Sequence, residues 1–241
     1  MKCLILNSGL GFRMRPLTKE HPKCMTGISV TDTILSRQLK LLAKVGVSDV
    51  VITTGYFDDV LIKYCLSLNL PLNYEFVKNP LYAETNYIYS IYCAKEILKE
   101  QDVLLMHGDL VFEFSVLKDI ISNKHSCMKV SSTVPPPEKD FKAVVEHGFV
   151  KKVGVEFFGK NAIEAQALYK LNSSEWQKWL DEICRFCEAG HCNCYAEVAL
   201  NQITEKCEIM ALDVKERLCT EIDTPDDLKL VTAKLEIAEK Q

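Results

Sequence analysis

Between Leu6 and Lys23 the chain concentrates the residue types that bind a polyphosphate. The string Leu6-Asn7-Ser8-Gly9-Leu10-Gly11-Phe12-Arg13-Met14-Arg15-Pro16-Leu17-Thr18 places two glycines just past a short apolar run. Glycine there lets the backbone turn tightly and present N–H groups to an anion, and Arg13 and Arg15 add charge-assisted hydrogen bonds to phosphate oxygens. Lys23, behind Pro22, can reach back to the same oxygens. Gly-x-Gly alone also occurs in ordinary strand-to-helix turns, so the wider string has to decide. A dinucleotide-binding turn would need a third glycine where Met14 stands, and the Gly-Lys-Ser/Thr of a Walker loop is absent. Two acidic positions complete the set. Asp109 follows His107-Gly108 at the end of an apolar run, and Asp223 follows Glu221-Ile222 just before a helix start. Taken singly, an aspartate after a strand is what any turn or helix cap carries.

These groups need a scaffold that brings strand ends together. Lys2–Leu6, Asp49–Thr54, Asn73–Val77 and Val103–Met106 read as buried strands. Leu35, Leu39 and Leu42 recur at helical spacing before Gly46, and a helix from Asn86 to Glu100 carries Ile88, Ile91, Tyr92 and Leu98 on one side. Strands alternating with helices form βαβ units, hence an α/β fold with a mostly parallel sheet and helices on both faces. In such a sheet the ligand crevice lies at the carboxyl ends of the strands, where the glycine loop and Asp109 fall.

The second half is less regular. Pro135-Pro136-Pro137 breaks the chain, and Lys142–Val145 and Phe149–Val155 alternate around His147-Gly148 as an antiparallel hairpin. Ser174-Glu175-Trp176-Gln177 fits a capping box opening an amphipathic helix with Trp176, Trp179, Leu180, Ile183 and Cys187, closed near Gly190. The last helix has Thr224 as N-cap, Pro225 in its first turn, and Asp226 and Asp227 facing the helix dipole. With no internal repeat or flexible linker, residues 1–241 read as one domain carrying a small inserted lobe.

Gly9, Gly11, Arg13, Arg15, Pro16, Leu17, Thr18, Pro22 and Lys23, in this order, resemble the signature of the nucleotidyltransferases that activate sugar phosphates and phosphocholine. Asn7-Ser8 stands where Ala-Ala is commoner, a change in size and polarity that leaves the glycines intact. The resemblance continues through Tyr82–Ser90, Asp140–Val145, Cys194–Glu197 and Glu221–Thr224, and is nearest to the phosphocholine and 2-aminoethylphosphonate cytidylyltransferases. A common form of the first of these segments has asparagine where Tyr87 stands. The resemblance implies a Rossmann-like nucleotidyltransferase fold whose inserted lobe serves the acceptor. It also implies transfer of CMP from CTP to a small amine-bearing phosphate or phosphonate, with release of pyrophosphate. Leu6, Asn7, Ser8, Gly9, Gly11, Arg13 and Lys23 would hold the nucleotide, with Arg13 and Lys23 as the catalytic cations. Asp109 and Asp223 would hold Mg²⁺, which uses one or two carboxylates plus substrate oxygens to offset the repulsion of two reacting anions. No nucleophilic side chain is needed, because the acceptor oxygen attacks the α-phosphorus directly and the protein supplies position and charge.

Asn86, Lys142 and Glu197 are the acceptor-side candidates; the residues leave phosphocholine and 2-aminoethylphosphonate both open, and the resemblance across Asp140–Val145 and Cys194–Glu197 leans to the phosphonate. Aromatic faces suit a quaternary ammonium, whereas carboxylates suit a primary one. Two other readings share these residues: a sugar-1-phosphate nucleotidylyltransferase, and a nucleotide-binding homologue without turnover. Intact Arg13, Lys23, Asp109 and Asp223 argue against the second.

The net charge of -4 gives no electrostatic basis for nucleic acid or an anionic membrane, and no apolar run is long enough to span a bilayer. Eleven cysteines cannot all pair within one chain, and without a secretion signal reduced thiols in the cytoplasm are expected. Cys184, Cys187, His191, Cys192 and Cys194 have spacings open to structural zinc, but Cys187 continues an apolar helix stripe, and small buried hydrophobes are the favoured reading.

Overall fold

In the computed structural model, which describes residues 1–238, the first strand β1 (Lys2–Leu6) lies between β2 (Asp49–Thr54) and β4 (Val103–His107), parallel to both. Covered on both edges and both faces, Cys3, Leu4 and Ile5 are fully buried, which is why this run is apolar without alternation. Helices α1 (Ile34–Lys44) and α2 (Asp58–Ser67) make the crossovers to β2 and to β3 (Asn73–Lys78), which pairs parallel with β2. Next come α3 (Tyr87–Cys93), α4 (Lys95–Leu98), the short β5 (Leu110–Phe112), α5 (Phe114–Ser122) and β6 (Cys127–Ser131). The remaining elements are β7 (Lys142–Glu146), β8 (Phe149–Gly154), β9 (Ala162–Leu171), α6 (Ser173–Glu188), α7 (Ala196–Leu200), β10 (Met210–Asp213), β11 (Cys219–Glu221) and α8 (Pro225–Ala238).

The nine-stranded sheet runs β3-β2-β1-β4-β9-β6-β10-β8-β7. Its β3-β2-β1-β4 half is parallel, as the βαβ pattern requires. Beyond β4 it is mixed: β9 pairs antiparallel with β4 and β6, and β10 pairs parallel with β6. The ten-residue β9 escapes a reading of the sequence because it is buried on both faces over nearly its whole length, so polar Glu164, Gln166 and Lys170 sit among apolar neighbours. Glu164 is held there by Lys129, whose ammonium also donates to the Cys219 carbonyl at 3.1 Å.

Side chains alternate across the sheet into two cores. Leu4 and Leu6 pack with α3, α4 and α6, while Cys3 and Ile5 pack with α1, α2 and α5. Two local expectations change. The helix expected from Asn86 to Glu100 breaks at Ala94 into α3 and α4, and the second segment ends with the Leu98 carbonyl accepting from Trp176 Nε1 at 2.9 Å. The capping box at Ser174 does not form. The N-cap lies two residues earlier, at Asn172, and Gln177 Oε1 instead accepts the Glu100 amide at 3.0 Å. The β7–β8 hairpin turns at His147 and Gly148, both at positive φ as its tight turn demands. At α8, Thr224 Oγ1 accepts the Asp227 amide while the Asp227 carboxylate accepts the Thr224 amide, a reciprocal cap.

Candidate active site

The phosphate loop leaves β1 at Leu6. Gly11 takes a left-handed conformation (φ 61°), and a Cβ there would lie 3.1 Å from the Lys23 Cβ, so glycine serves both the turn and the close approach. Thr18 Oγ1 ties the loop by donating to the Gly11 carbonyl at 2.8 Å. Met14 is fully buried and pins the short 3-10 turn Phe12–Met14, which leaves Arg13 facing outward. A second 3-10 turn, Lys23–Met25, follows Pro22 and directs Lys23 back under the loop.

Asp109 stands just past β4. The antiparallel β5–β11 ribbon, with Glu221 opposite Leu110, returns the chain to it, and the Ile222 amide donates to the Asp109 carbonyl at 3.1 Å. That ribbon brings Asp223 beside Asp109 across more than a hundred residues of sequence. Lys23 bridges them: its ammonium pairs with Asp109 and lies 2.7 Å from Asp223 Oδ1, which also accepts from Arg13 at 2.8 Å. Burial alone would lower the Lys23 ammonium, but the two carboxylates outweigh it and hold it above the usual lysine value. Burial likewise opposes ionisation of Asp109, and Lys23 with His107 overcomes it and lowers its pKa.

His107, between these groups, binds Glu221 through Nδ1 at 2.7 Å. Burial disfavours the imidazolium, yet the hydrogen bond and charge of Glu221, with Asp109 and Glu197 behind, push its pKa up to about 9. Glu221 is itself raised by burial and by Asp109, against the pull of His107.

Two cavities open from this centre. The larger, about 530 Å³, is lined by the phosphate loop, Lys23, Asp109 and Asp223, with Asp140 and Glu221 close to the last of these. Tyr87, Tyr195 and Phe141 line it as well, the Tyr195 ring centroid 5.8 Å from Tyr87 and 5.1 Å from Phe141. The smaller, about 290 Å³, lies beside Ser8 and Gly9 toward the chain segment after β3, and its wall is mainly hydroxyl and amide groups.

Leu6, Asn7, Gly9, Gly11, Arg13, Lys23, Asn86, Asp109 and Asp223 all line the larger cavity, and Ser8 lines the smaller. Asn86 is also the N-cap of α3, its side chain accepting the Tyr87 amide. The other two acceptor-side candidates stand behind the walls. Lys142 is fully buried, its ammonium donating to the Pro137 and Glu138 carbonyls at 2.8 and 3.2 Å and lying over Phe158, so it braces the proline loop that delivers Lys139 and Asp140. Glu197 accepts from the hydroxyls of Tyr87 and Tyr169 (the latter at 2.9 Å), so it reaches the cavity only through the Tyr87 ring.

His107, Asp140, Phe141, Tyr195 and Glu221 also line the larger cavity, beyond the residues the sequence points to. A histidine next to Gly-Asp at a strand end was the one local signal. The others face the site only because β7, α7 and β11 converge there. Of the cysteine cluster, Cys187 is buried against α3, its thiol directed at the Ile88 carbonyl. Among the described residues no three cysteine or histidine ligand atoms of this cluster lie close enough to share a metal.

The carboxylates suit a divalent cation. Asp109 Oδ1 is buried with no hydrogen-bond partner, and ligand atoms of Asp140, Glu221 and Asp223 lie within 4.8 Å of one another, all hard oxygen donors. Among the described residues no helix is long and apolar enough to cross a membrane.

A family model described as nucleotidyl transferase matches residues 2–150, which include the loop, Lys23, Asn86 and Asp109. The chain belongs to the nucleotidyl transferase family. It is 26% identical over 205 residues, 78% of each chain, to a CTP:phosphoglutamine cytidylyltransferase of Campylobacter jejuni. It is 31% identical over 192 residues to a mannose-1-phosphate guanyltransferase of Debaryomyces hansenii, covering 72% of this chain and half of that longer protein. In fold it is similar to the CTP:phosphocholine cytidylyltransferase of Streptococcus pneumoniae, with a TM-score of 0.80 at 20% identity, covering 97% and 98% of the two chains. The nucleotidyltransferase fold expected from the phosphate loop is thus the fold observed.

Proposed function

We propose that this nucleotidyltransferase moves CMP from CTP to a small amine-bearing phosphate or phosphonate and releases pyrophosphate. The observation that carries the reading is the composition of the larger cavity: Arg13 and Lys23 with a cluster of carboxylates, and the aromatic rings of Tyr87, Phe141 and Tyr195 lining the same space. The cations suit a triphosphate, the aromatic faces an ammonium group. A sugar phosphate would call instead for a wall of hydroxyl-binding groups, and such groups gather in the smaller cavity.

In this reading the loop amides after Leu6, with Arg13 and Lys23, hold the triphosphate, and Asp109 and Asp223 hold Mg²⁺. When bound, that ion supplies positive charge against the two reacting anions. The same Lys23 ammonium pairs with both aspartates. Nucleotide binding therefore exchanges partners, and the Lys23 ammonium passes from carboxylate to phosphate oxygens. It then stabilises charge that grows on the α-phosphate and departing pyrophosphate as the acceptor oxygen attacks in line. Tyr87, fixed from behind by Glu197, and Tyr195 with Phe141 orient the acceptor amine, while Lys142 holds the loop that brings Asp140 toward it.

The test is a pyrophosphate-release panel: each common NTP against phosphocholine, 2-aminoethylphosphonate, phosphoglutamine and several sugar phosphates. CTP with an amine-bearing acceptor should give the highest kcat/KM. Preference for another NTP with a sugar phosphate would overturn the reading.

A further inference from the structure

The smaller cavity has a floor whose hydrogen bonds run in one direction. Asn79, 1% exposed, accepts the Leu81 amide on Oδ1 at 2.8 Å, which decides which end of its side chain is oxygen. Its Nδ2 must then donate, and it does so to Thr85 Oγ1 and to Ser90 Oγ, both at 3.0 Å. Thr85 passes its own hydrogen to the Leu81 carbonyl at 2.8 Å. Ser90 is fully buried, and besides Asn79 its one partner among the described residues is Ser8 Oγ at 2.9 Å. A buried hydroxyl left without an acceptor costs about 1–3 kcal/mol. Ser90 therefore donates to Ser8, and the Ser8 hydrogen is left to point into the cavity it lines.

The backbone under Ser8 leaves little freedom to escape this role. A Cβ added at Gly55 would overlap the Ser8 carbonyl, so the bare glycine lets β2 press directly on the loop at this residue. Apart from His107 and Asp109, which also line the larger cavity, the wall carries no charged side chain among the described residues, and the cavity suits a flat, polar-edged ring. It adjoins the phosphate loop on the side away from Arg13 and Asp223, and the tyrosines Tyr82 and Tyr87 on its wall offer ring faces.

We propose that Ser8 is a nucleobase-specificity residue, its oriented hydroxyl donating to ring nitrogen N3 of cytosine bound in the smaller cavity. This rests on the CTP reading above. Cytosine N3 accepts a hydrogen bond, whereas uracil carries N3–H, a second donor facing the hydroxyl. Asn79, Ser90 and Thr85 are positioning residues that set the direction of the chain.

The experiment is steady-state kinetics of Ser8→Ala and Ser90→Ala with CTP and with UTP, with thermal unfolding as a folding control. Removing one neutral hydrogen bond should raise KM for CTP about tenfold in Ser8→Ala and fall on KM rather than kcat, while KM for UTP, freed of the facing donor, stays the same or falls. Ser90→Ala frees the Ser8 hydroxyl to turn and should shift the CTP-to-UTP preference the same way by a smaller factor. An unchanged preference in Ser8→Ala overturns the inference, and so does an equal rise in KM for both nucleotides, which would place the hydroxyl on an atom the two bases share. Failure of the CTP reading shows separately, as a wild-type enzyme that does not use CTP.

Discussion

Lys23→Ala tests the charge exchange at the heart of the site. Lys23 is the common partner of Asp109 and Asp223, and all three side chains are only 15–18% exposed. Removing it leaves Asp109 with His107 as its remaining cationic neighbour and Asp223 with the outward-facing Arg13. Breaking a fully buried ion pair costs about 3–5 kcal/mol, but a cavity that admits water screens these carboxylates, so about 1–2 kcal/mol is the appropriate figure. For a chain of this length that lowers Tm by about 2–8 °C. Catalysis should suffer more, because the ammonium meets charge that grows toward the transition state: kcat should fall about 10²–10³-fold while CTP affinity changes less. A third readout separates this from a plain packing defect. Without Lys23 competing for the aspartates, Mg²⁺ alone should raise the Tm of the variant more than that of the wild type, since an ion that binds only the folded state stabilises it by mass action. Differential scanning fluorimetry with and without Mg²⁺, alongside steady-state kinetics, reads all three. An unchanged kcat, or equal Mg²⁺ shifts in the two proteins, would refute the reasoning.

Asp109→Asn should leave Tm within a few degrees but reduce kcat by orders of magnitude, since an amide is a poor substitute for a charged Mg²⁺ ligand; near-normal turnover in the folded variant would move the metal to other carboxylates. Excess chelator should abolish pyrophosphate release and added Mg²⁺ restore it, and turnover that survives chelation would remove the metal from the mechanism. Glu197→Ala orphans two buried phenol hydroxyls, so urea denaturation should show a loss of about 2–4 kcal/mol; a loss below ~0.5 kcal/mol would show that Tyr87 and Tyr169 find other partners. Gly108→Ala drives a Cβ into the Asn7 side chain, so it should impair CTP turnover well beyond its effect on Tm, and full activity would show that the two loops do not need their close approach.

The features legible in the amino-acid order are local and contiguous. The strand-glycine-arginine order of Leu6–Arg15, the return of Lys23, the βαβ alternation behind the parallel half of the sheet and the Thr224 cap each need only a few neighbouring residues. Backbone conformation and short-range hydrogen bonding act over that distance, and the structure repeats those features nearly to the residue. Asp109 and Asp223 were legible as a pair only through resemblance, because the β5–β11 ribbon that joins them closes a loop of more than a hundred residues. Tertiary structure alone decided the rest. Lys142 and Glu197 are charged side chains in the right segments, yet burial turns them to carbonyls and phenols behind the cavity wall, because a buried ion must be satisfied where it lies. Asp140 and Phe141 lie just before β7, Tyr195 just before α7 and Glu221 on β11, and they meet only when these distant segments converge, which no window of sequence contains. The direction of the Ser8 hydroxyl is more distant still, set by an amide at Leu81 acting through Asn79 and Ser90, since a buried donor takes whichever acceptor the fold brings within reach.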